Sequence, residues 1–183
     1  MGEQFETIGY HKTTQIRAGQ ILSWKSFVTS KKKTEWLGTG IYFWERLSDA
    51  EWWNANNYEH SSILSVNLIC DRSQFLNLDH ADEMRMLLDF ASKTADYIKQ
   101  NAEYDVDFSN QFQIRAVFCN YYKKAYGIKL MKFSFPDHFE TNIAGFKCPV
   151  GRPQFCATDN DVIHNIKEIS KATGKKNGGV KFV

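Results

Sequence analysis

Proline is scarce, with three in 183 residues, so nothing in the chain reads as a proline-rich linker or a fibrous repeat. The four cysteines, Cys70, Cys119, Cys148 and Cys156, include no C-x-x-C pair, and no histidine pair completes a zinc pattern, which argues against a structural metal site. They are expected to be reduced, mostly buried thiols in a cytoplasmic protein; two disulfides would require an oxidising compartment that a chain of this size does not need. No apolar run approaches the roughly 20 residues of a bilayer span, and MGEQFETIGYHKTT has no signal-peptide core. The Met-Gly start is the first element of a myristoylation signal, but the residues around it fit that signal poorly, and a cloning scar explains it as well. Charge of one sign is also missing. The formal net charge is +2, too small to imply a nucleic-acid or acidic partner by bulk charge. No G-x-G-x-x-G follows a strand, which argues against a Rossmann domain, and no internal repeat or low-complexity block is visible.

What the chain does have is aromatic and apolar residues, 15% and 43% of the total. These compositions indicate a globular protein, read as a single domain over residues 1–170 with a basic, glycine-containing tail over 171–183. ETIGYH reads as a strand, TTQIRAGQ as a brief helix ending near Gly19, and Lys31–Lys33 as an exposed loop. GIYFW is apolar strand. LSDAEWWNANNYEH carries Ser48 at an N-cap position with Glu51 three residues on, a capping-box pattern. SSILSVNLI alternates as a strand does, and QFLNLD reads as a short one. Met84, Leu87, Leu88, Ala91, Ala95 and Ile98 make one helical face over Asp82–Gln100, and Phe108, Phe112, Ala116, Cys119, Tyr122 and Tyr126 another over Asp107–Tyr126, stopped by Gly127. IKLMKFSF and PQFCAT return to strand, and DNDVIHNIKEI has the spacing of a closing helix. Strands at both ends with helices between them predict an α+β fold in which terminal strands share one sheet system.

Three short motifs stand out: GYHKTT with His11, WLGTGIYFWE with Tyr42, and GRPQFCATD with Gln154. A strand-borne histidine, a glycine-flanked Gly-Ile-Tyr-Phe, and a late strand opening on an acid or amide resemble the ADP-ribosyltransferase superfamily, in the His–Tyr–Glu branch shared by diphtheria-like toxins and poly-ADP-ribose polymerases. The spacing around them is similar to that of small bacterial members: Phe27 and Ser30 precede the glycine motif, and Ala50 and Trp53 follow it. The resemblance spans about Ile8 to Ile166. It implies an ADP-ribosyltransferase-like fold of two packed, mainly antiparallel sheets with inserted helices, forming a cleft for NAD+, with NAD+ as substrate and no metal.

The resemblance assigns His11, Tyr42 and Gln154 as the catalytic triad, and His11, Lys12, Thr13, Ser30, Gly38, Gly40 and Tyr42 as the dinucleotide-binding set. Tyr42 would offer its ring to the cationic nicotinamide. Gly38 and Gly40 would let the backbone pass close to the dinucleotide. His11 would bond a ribose hydroxyl, and the Lys12 backbone the carboxamide. Two positions depart from the family: Lys12 stands where glycine is usual, and Gln154 where glutamate is usual. An amide makes the hydrogen bond but brings no charge and cannot act as a base, so a base from elsewhere is needed, with Glu45, Asp159 and His164 as candidates. Asn110–Val117 is a competing placement for the third motif, although it continues a helical period.

The resemblance implies a mono-ADP-ribosyltransferase toxin of a toxin–antitoxin or phage-defence system, with an antitoxin protein as partner. Lys12, Lys25 and Lys31–Lys33 fall in the segments that would rim the cleft, and Phe133, Phe135 and Phe139 are candidates for stacking on bases, which favours RNA or single-stranded DNA as acceptor. The alternatives are a protein-targeting transferase, a NAD glycohydrolase, and a non-catalytic binding module on the same fold.

Overall fold

The computed structural model describes residues 2–33, 35–53, 60–101, 106–143, 146–176 and 179–182, with side chains described outside 136–150 and 171–183. In chain order the elements are β1 (Gln4–Thr14), α1 (Gln15–Trp24), β2 (Ile41–Trp44), α2 (Leu47–Trp52), β3 (Ser61–Asp71), β4 (Phe75–Asn77), α3 (Ala81–Asn101), α4 (Gln111–Tyr126), β5 (Leu130–Ile143), β6 (Phe146–Ala157), β7 (Ile163–Lys176) and β8 (Gly179–Phe182). The strands follow the order β4-β5-β6-β2-β1-β3-β7-β8. The β4–β5 pair is parallel and β1–β2 is antiparallel, so this is an α+β protein built on a mixed sheet. Among the described residues no helix is long and apolar enough to cross a membrane.

One junction in that order is thin. β1 lies against β3 along its whole length, from Gln4–Asp71 to Thr14–Ser61, and β2 lies against β6 from Ile41–Ala157 to Trp44–Gln154. β1 and β2 meet only at Tyr10–Trp44. The two sheets expected from the sequence are therefore two halves of one hydrogen-bonded order, joined at a single residue pair. Past that pair the strands part, and the next residues on either side of the gap are His11 and Tyr42–Phe43.

Alternation assigns the two faces of the sheet. Phe43, Leu64, Val66, Leu68 and Phe155 are buried on one face with Ala18 and Ile21 of α1. On the other face Met131 and Cys156 pack with Leu87 of α3 and with Cys119 and Tyr122 of α4, while Trp44 and Ile63 pack with Ala50 of α2. Burying each such large apolar side chain contributes roughly 1.5–3 kcal/mol.

Local chemistry explains most boundaries and corrects several expectations. The α1 helix starts where the Thr14 hydroxyl accepts from Arg17 N–H and runs through Gly19 to a left-handed Lys25, φ 52°. The Asn110 side chain caps α4 by accepting from Phe112 and Gln113 N–H, and Gly127 ends it at φ 65°, so the competing placement, Asn110–Val117, is a cap and the start of a helix and not a late strand. Ser48 is not an N-cap: α2 begins after Arg46, which makes no side-chain cap, because the buried Asp49 is drawn to Arg46 Nε at 2.9 Å. The rest of that predicted cap segment, 54–59, lies outside the described residues.

The largest correction concerns DNDVIHNIKEI. Residues Asn160–Val162 form one turn of 3₁₀ helix, and the chain then enters β7. β7 pairs with β3 with a register irregularity between Ser65 and Asn67, where Asn165 has φ 53°. Such a bulge inserts a residue into the alternation. It spaces Ile163 and Ile166 as a helix would, and leaves His164 and Asn165 both exposed.

Candidate functional site

The gap between β1 and β2 opens into a cavity of about 530 Å³, within the range of roughly 300–1,000 Å³ typical of small-molecule and cofactor sites. His11, Lys12, Ser30, Gly40, Tyr42 and Gln154 all line it. Thr13 and Gly38, also assigned to dinucleotide binding, are not part of the lining.

His11 is tied to the opposite strand: its Nδ1 lies 2.8 Å from the Tyr42 carbonyl oxygen. A carbonyl only accepts, so Nδ1 carries the hydrogen. Burial lowers the His11 pKa, against the bond to Tyr42, which raises it; Arg17 lowers it further. The ring is therefore neutral near pH 7, with Nε2 unprotonated and able to accept a hydrogen bond. Phe27 packs edge-on against the imidazole at 5.1 Å.

Tyr42 holds the loop before it. Its hydroxyl donates to the Gly38 carbonyl at 2.6 Å and accepts from Leu37 N–H at 2.9 Å. Burial, then the neighbouring Cys156, raises its pKa, so it stays protonated. The α4 helix holds the same loop from beneath. Asn120 Oδ1 accepts from Thr39 N–H at 2.7 Å, and the buried Lys123 ammonium donates to the Leu37 and Thr39 carbonyls at 2.9 and 2.6 Å. These contacts by themselves leave no room for a side chain at either glycine. Gly38 has φ 78°, and a Cβ there would collide with Asn120 Oδ1 and lie 2.8 Å from the Ala116 carbonyl; at Gly40 it would collide with Cys156 Sγ.

Gln154 lies on β6 between Trp44 of β2 and Phe133 of β5. Two residues earlier, on the same face, Arg152 also lines the cavity. Its Nη1 donates to Asp49 Oδ1 at 2.6 Å, and its guanidinium lies 3.7 Å from the centre of the Trp52 ring. Asp49 is shared between Arg46 and Arg152. Lys12 donates through Nζ to the Glu51 carbonyl at 3.0 Å, and burial lowers its pKa.

The mouth is aromatic. Trp36, Trp52 and Trp53 line the cavity while remaining 37%, 43% and 45% exposed. Arg115 lies 4.6 Å over the Trp36 ring. Phe135 is buried and lines the cavity; the Phe139 side chain lies outside those described. Cys70, Cys119 and Cys156 are free and buried, burial pushing the Cys119 thiol up to about 12; the Cys148 side chain lies outside those described.

None of the three suggested bases lines the cavity. Glu45 is paired with Lys132 at 2.5 Å, Asp159 accepts from Asp161 N–H at the 3₁₀ turn, and His164 is exposed opposite Asn67. The carboxylate that does line it is Glu35, which accepts from the Ser30 hydroxyl at 2.5 Å. Sequence reading missed Glu35 because it sits in a polar loop with no periodicity. Arg152 had a signal, the strand period of two that puts it beside Gln154.

No family model matches the chain. No solved structure matches it either. The chain is similar to an uncharacterized protein of Methanocaldococcus jannaschii, 31% identical over 91 residues, which cover 46% of this chain and 42% of the relative. The match therefore spans less than half of either protein.

Proposed function

We propose that this chain is a mono-ADP-ribosyltransferase that cleaves nicotinamide from NAD+ and transfers ADP-ribose to a nucleic-acid acceptor. The observation that carries the reading is the convergence of His11, Tyr42 and Gln154, from three separated segments, on one cavity of about 530 Å³. An ADP-ribosyltransferase-like fold belongs to the same proposal, supported by the split between β1 and β2.

The lining fits a dinucleotide. His11 Nε2 accepts from a ribose hydroxyl, its tautomer set by the Tyr42 carbonyl. Past Tyr10 the pairing of β1 with β2 stops, and on this reading the backbone around Lys12 meets the carboxamide. Tyr42 and Trp53 supply aromatic surface for the pyridinium, and Arg152 and Lys12 supply positive charge for the pyrophosphate. On this reading Gln154, which lines the cavity, bonds the nicotinamide ribose as charge develops on the sugar. Lys12, Lys32 and Arg152 outnumber the single carboxylate Glu35 in the lining, and exposed tryptophans with an arginine over their rings suit unpaired bases. On this reading the chain acts as a toxin in a toxin–antitoxin or phage-defence setting, with an antitoxin partner.

The test is incubation with NAD+ labelled in its adenylate, with total RNA, denatured DNA and protein extract as acceptors. Label on RNA or single-stranded DNA is the expected result, lost in His11→Ala and Tyr42→Ala. Label on protein alone, or free ADP-ribose alone, overturns the nucleic-acid acceptor, and intact NAD+ overturns the enzyme.

A further inference from the structure

We propose that Glu35, held by the Ser30 hydroxyl, is the general base of this cavity and takes the proton of the attacking acceptor. The inference rests on the ADP-ribosyl transfer reading and supplies the group that reading lacks.

The chemical need is specific. An acceptor N–H or O–H that attacks C1′ of the nicotinamide ribose forms a new bond with its lone pair. The C1′–N1 bond breaks, and its electron pair goes to the pyridinium nitrogen, which leaves as neutral nicotinamide. The acceptor proton must then go to a base. Gln154 cannot take it, since an amide at neutral pH is not basic. Among the described residues, Glu35 is the only carboxylate that lines the cavity. His11 is already committed through Nδ1 to the Tyr42 carbonyl, and its burial opposes protonation.

The position of Glu35 is built. Ser30 is locked to Gly40 by two backbone bonds, Ser30 N–H to the Gly40 carbonyl at 2.9 Å and Gly40 N–H to the Ser30 carbonyl at 3.1 Å. The Ser30 hydroxyl then donates to Glu35 Oε1 at 2.5 Å. The Glu35 backbone is fixed on both sides, its N–H donating to Lys32 O at 3.2 Å and its carbonyl accepting from Gly38 N–H at 3.1 Å. This leaves Oε2 to receive a proton. Gly38 belongs to the loop that the Tyr42 hydroxyl and Lys123 hold, so base and stacking tyrosine share one rigid support. A preorganised base of this kind contributes roughly 10²–10⁴-fold in rate.

The experiment compares wild type with Glu35→Gln, Glu35→Asp and Ser30→Ala. NAD+ binding is read by tryptophan fluorescence. Nicotinamide release is measured at pH 7.5 with a mixed-sequence single-stranded RNA as the acceptor probe. Glu35→Gln still accepts the Ser30 hydroxyl through its amide oxygen, so its thermal midpoint should match wild type. The expected result is NAD+ affinity within about twofold and kcat lower by about 10²–10⁴-fold in Glu35→Gln. Glu35→Asp, which keeps a carboxylate, should recover an intermediate kcat. Ser30→Ala removes the hydroxyl that orients the carboxylate and should lower kcat by less than Glu35→Gln does. A Glu35→Gln protein with wild-type kcat, or a Glu35→Asp protein no faster than Glu35→Gln, overturns the assignment while leaving the transfer reading standing. A wild-type protein that neither binds NAD+ nor releases nicotinamide overturns both.

Discussion

His11 Nδ1 and the Tyr42 carbonyl oxygen are 2.8 Å apart, bridging β1 and β2 one step beyond the last residue pair that joins those strands. The imidazole takes the place of a ladder hydrogen bond. It satisfies a carbonyl that the parting strands would otherwise leave without a partner, and in doing so it fixes its own tautomer. The same contact ties the two strands at the cavity and sets the hydrogen-bonding character of the residue inside it.

Burial of this imidazole makes stability depend on pH through His11. Burial lowers its pKa, so the unfolded chain binds a proton more readily than the folded one. The His11 contribution is therefore present above the ordinary imidazole value of about 6.5 and is lost as pH falls below it toward the folded value. Thermal melts at pH 7.5 and 5.5 should show a larger drop for wild type than for His11→Gln, whose amide can still donate to Tyr42. Equal drops would remove His11 as the cause.

Tyr42→Phe keeps the ring in the cavity lining but removes the hydroxyl that joins Leu37 N–H to the Gly38 carbonyl. Leaving those two groups without their partner should cost about 1–3 kcal/mol. Urea unfolding reads the loss as a lower midpoint at unchanged slope.

Glycine has opposite value at two positions. Gly38→Ala places a Cβ against Asn120 and the Ala116 carbonyl at φ 78° and should destabilise by about 2 kcal/mol or more. Gly19, inside α1, has nothing within 4 Å of where an added methyl would sit, and Gly19→Ala should stabilise by about 0.5–1 kcal/mol through helix propensity. Differential scanning calorimetry of the pair should move the two midpoints in opposite directions.

Lys123→Met keeps the length of the side chain and removes the buried ammonium that donates to Leu37 and Thr39. The two carbonyls lose a charged donor, at a cost of about 2–3 kcal/mol. Hydrogen exchange should show faster opening of residues 37–40, with α3 unaffected. Uniform acceleration across the protein would assign Lys123 to global stability instead.

The readable parts of the sequence were those whose cause is local. The stop at Gly127 and the helical stripe of Ala116, Cys119 and Tyr122 follow from contacts a few residues apart, and the structure has them. The alternation of β3 follows from one face being buried. DNDVIHNIKEI misled because the bulge at Asn165 disrupts strand alternation in a way that copies a helical period, and only the partner strand β3 shows it. Ser48 misled because a capping pattern competes with a buried ion pair, and the second partner of Asp49, Arg152, lies 103 residues away.

By itself the sequence determined an α+β chain with terminal strands, a loop requiring glycine, and the order His11, Tyr42, Gln154 along it. Tertiary structure alone decided that β1 and β2 touch at one pair, that these three side chains line the resulting gap, and that Glu35 and Arg152 join them. The physical reason is that strand pairing and ion pairing act between segments far apart in the chain, so their outcome depends on which surfaces packing brings together.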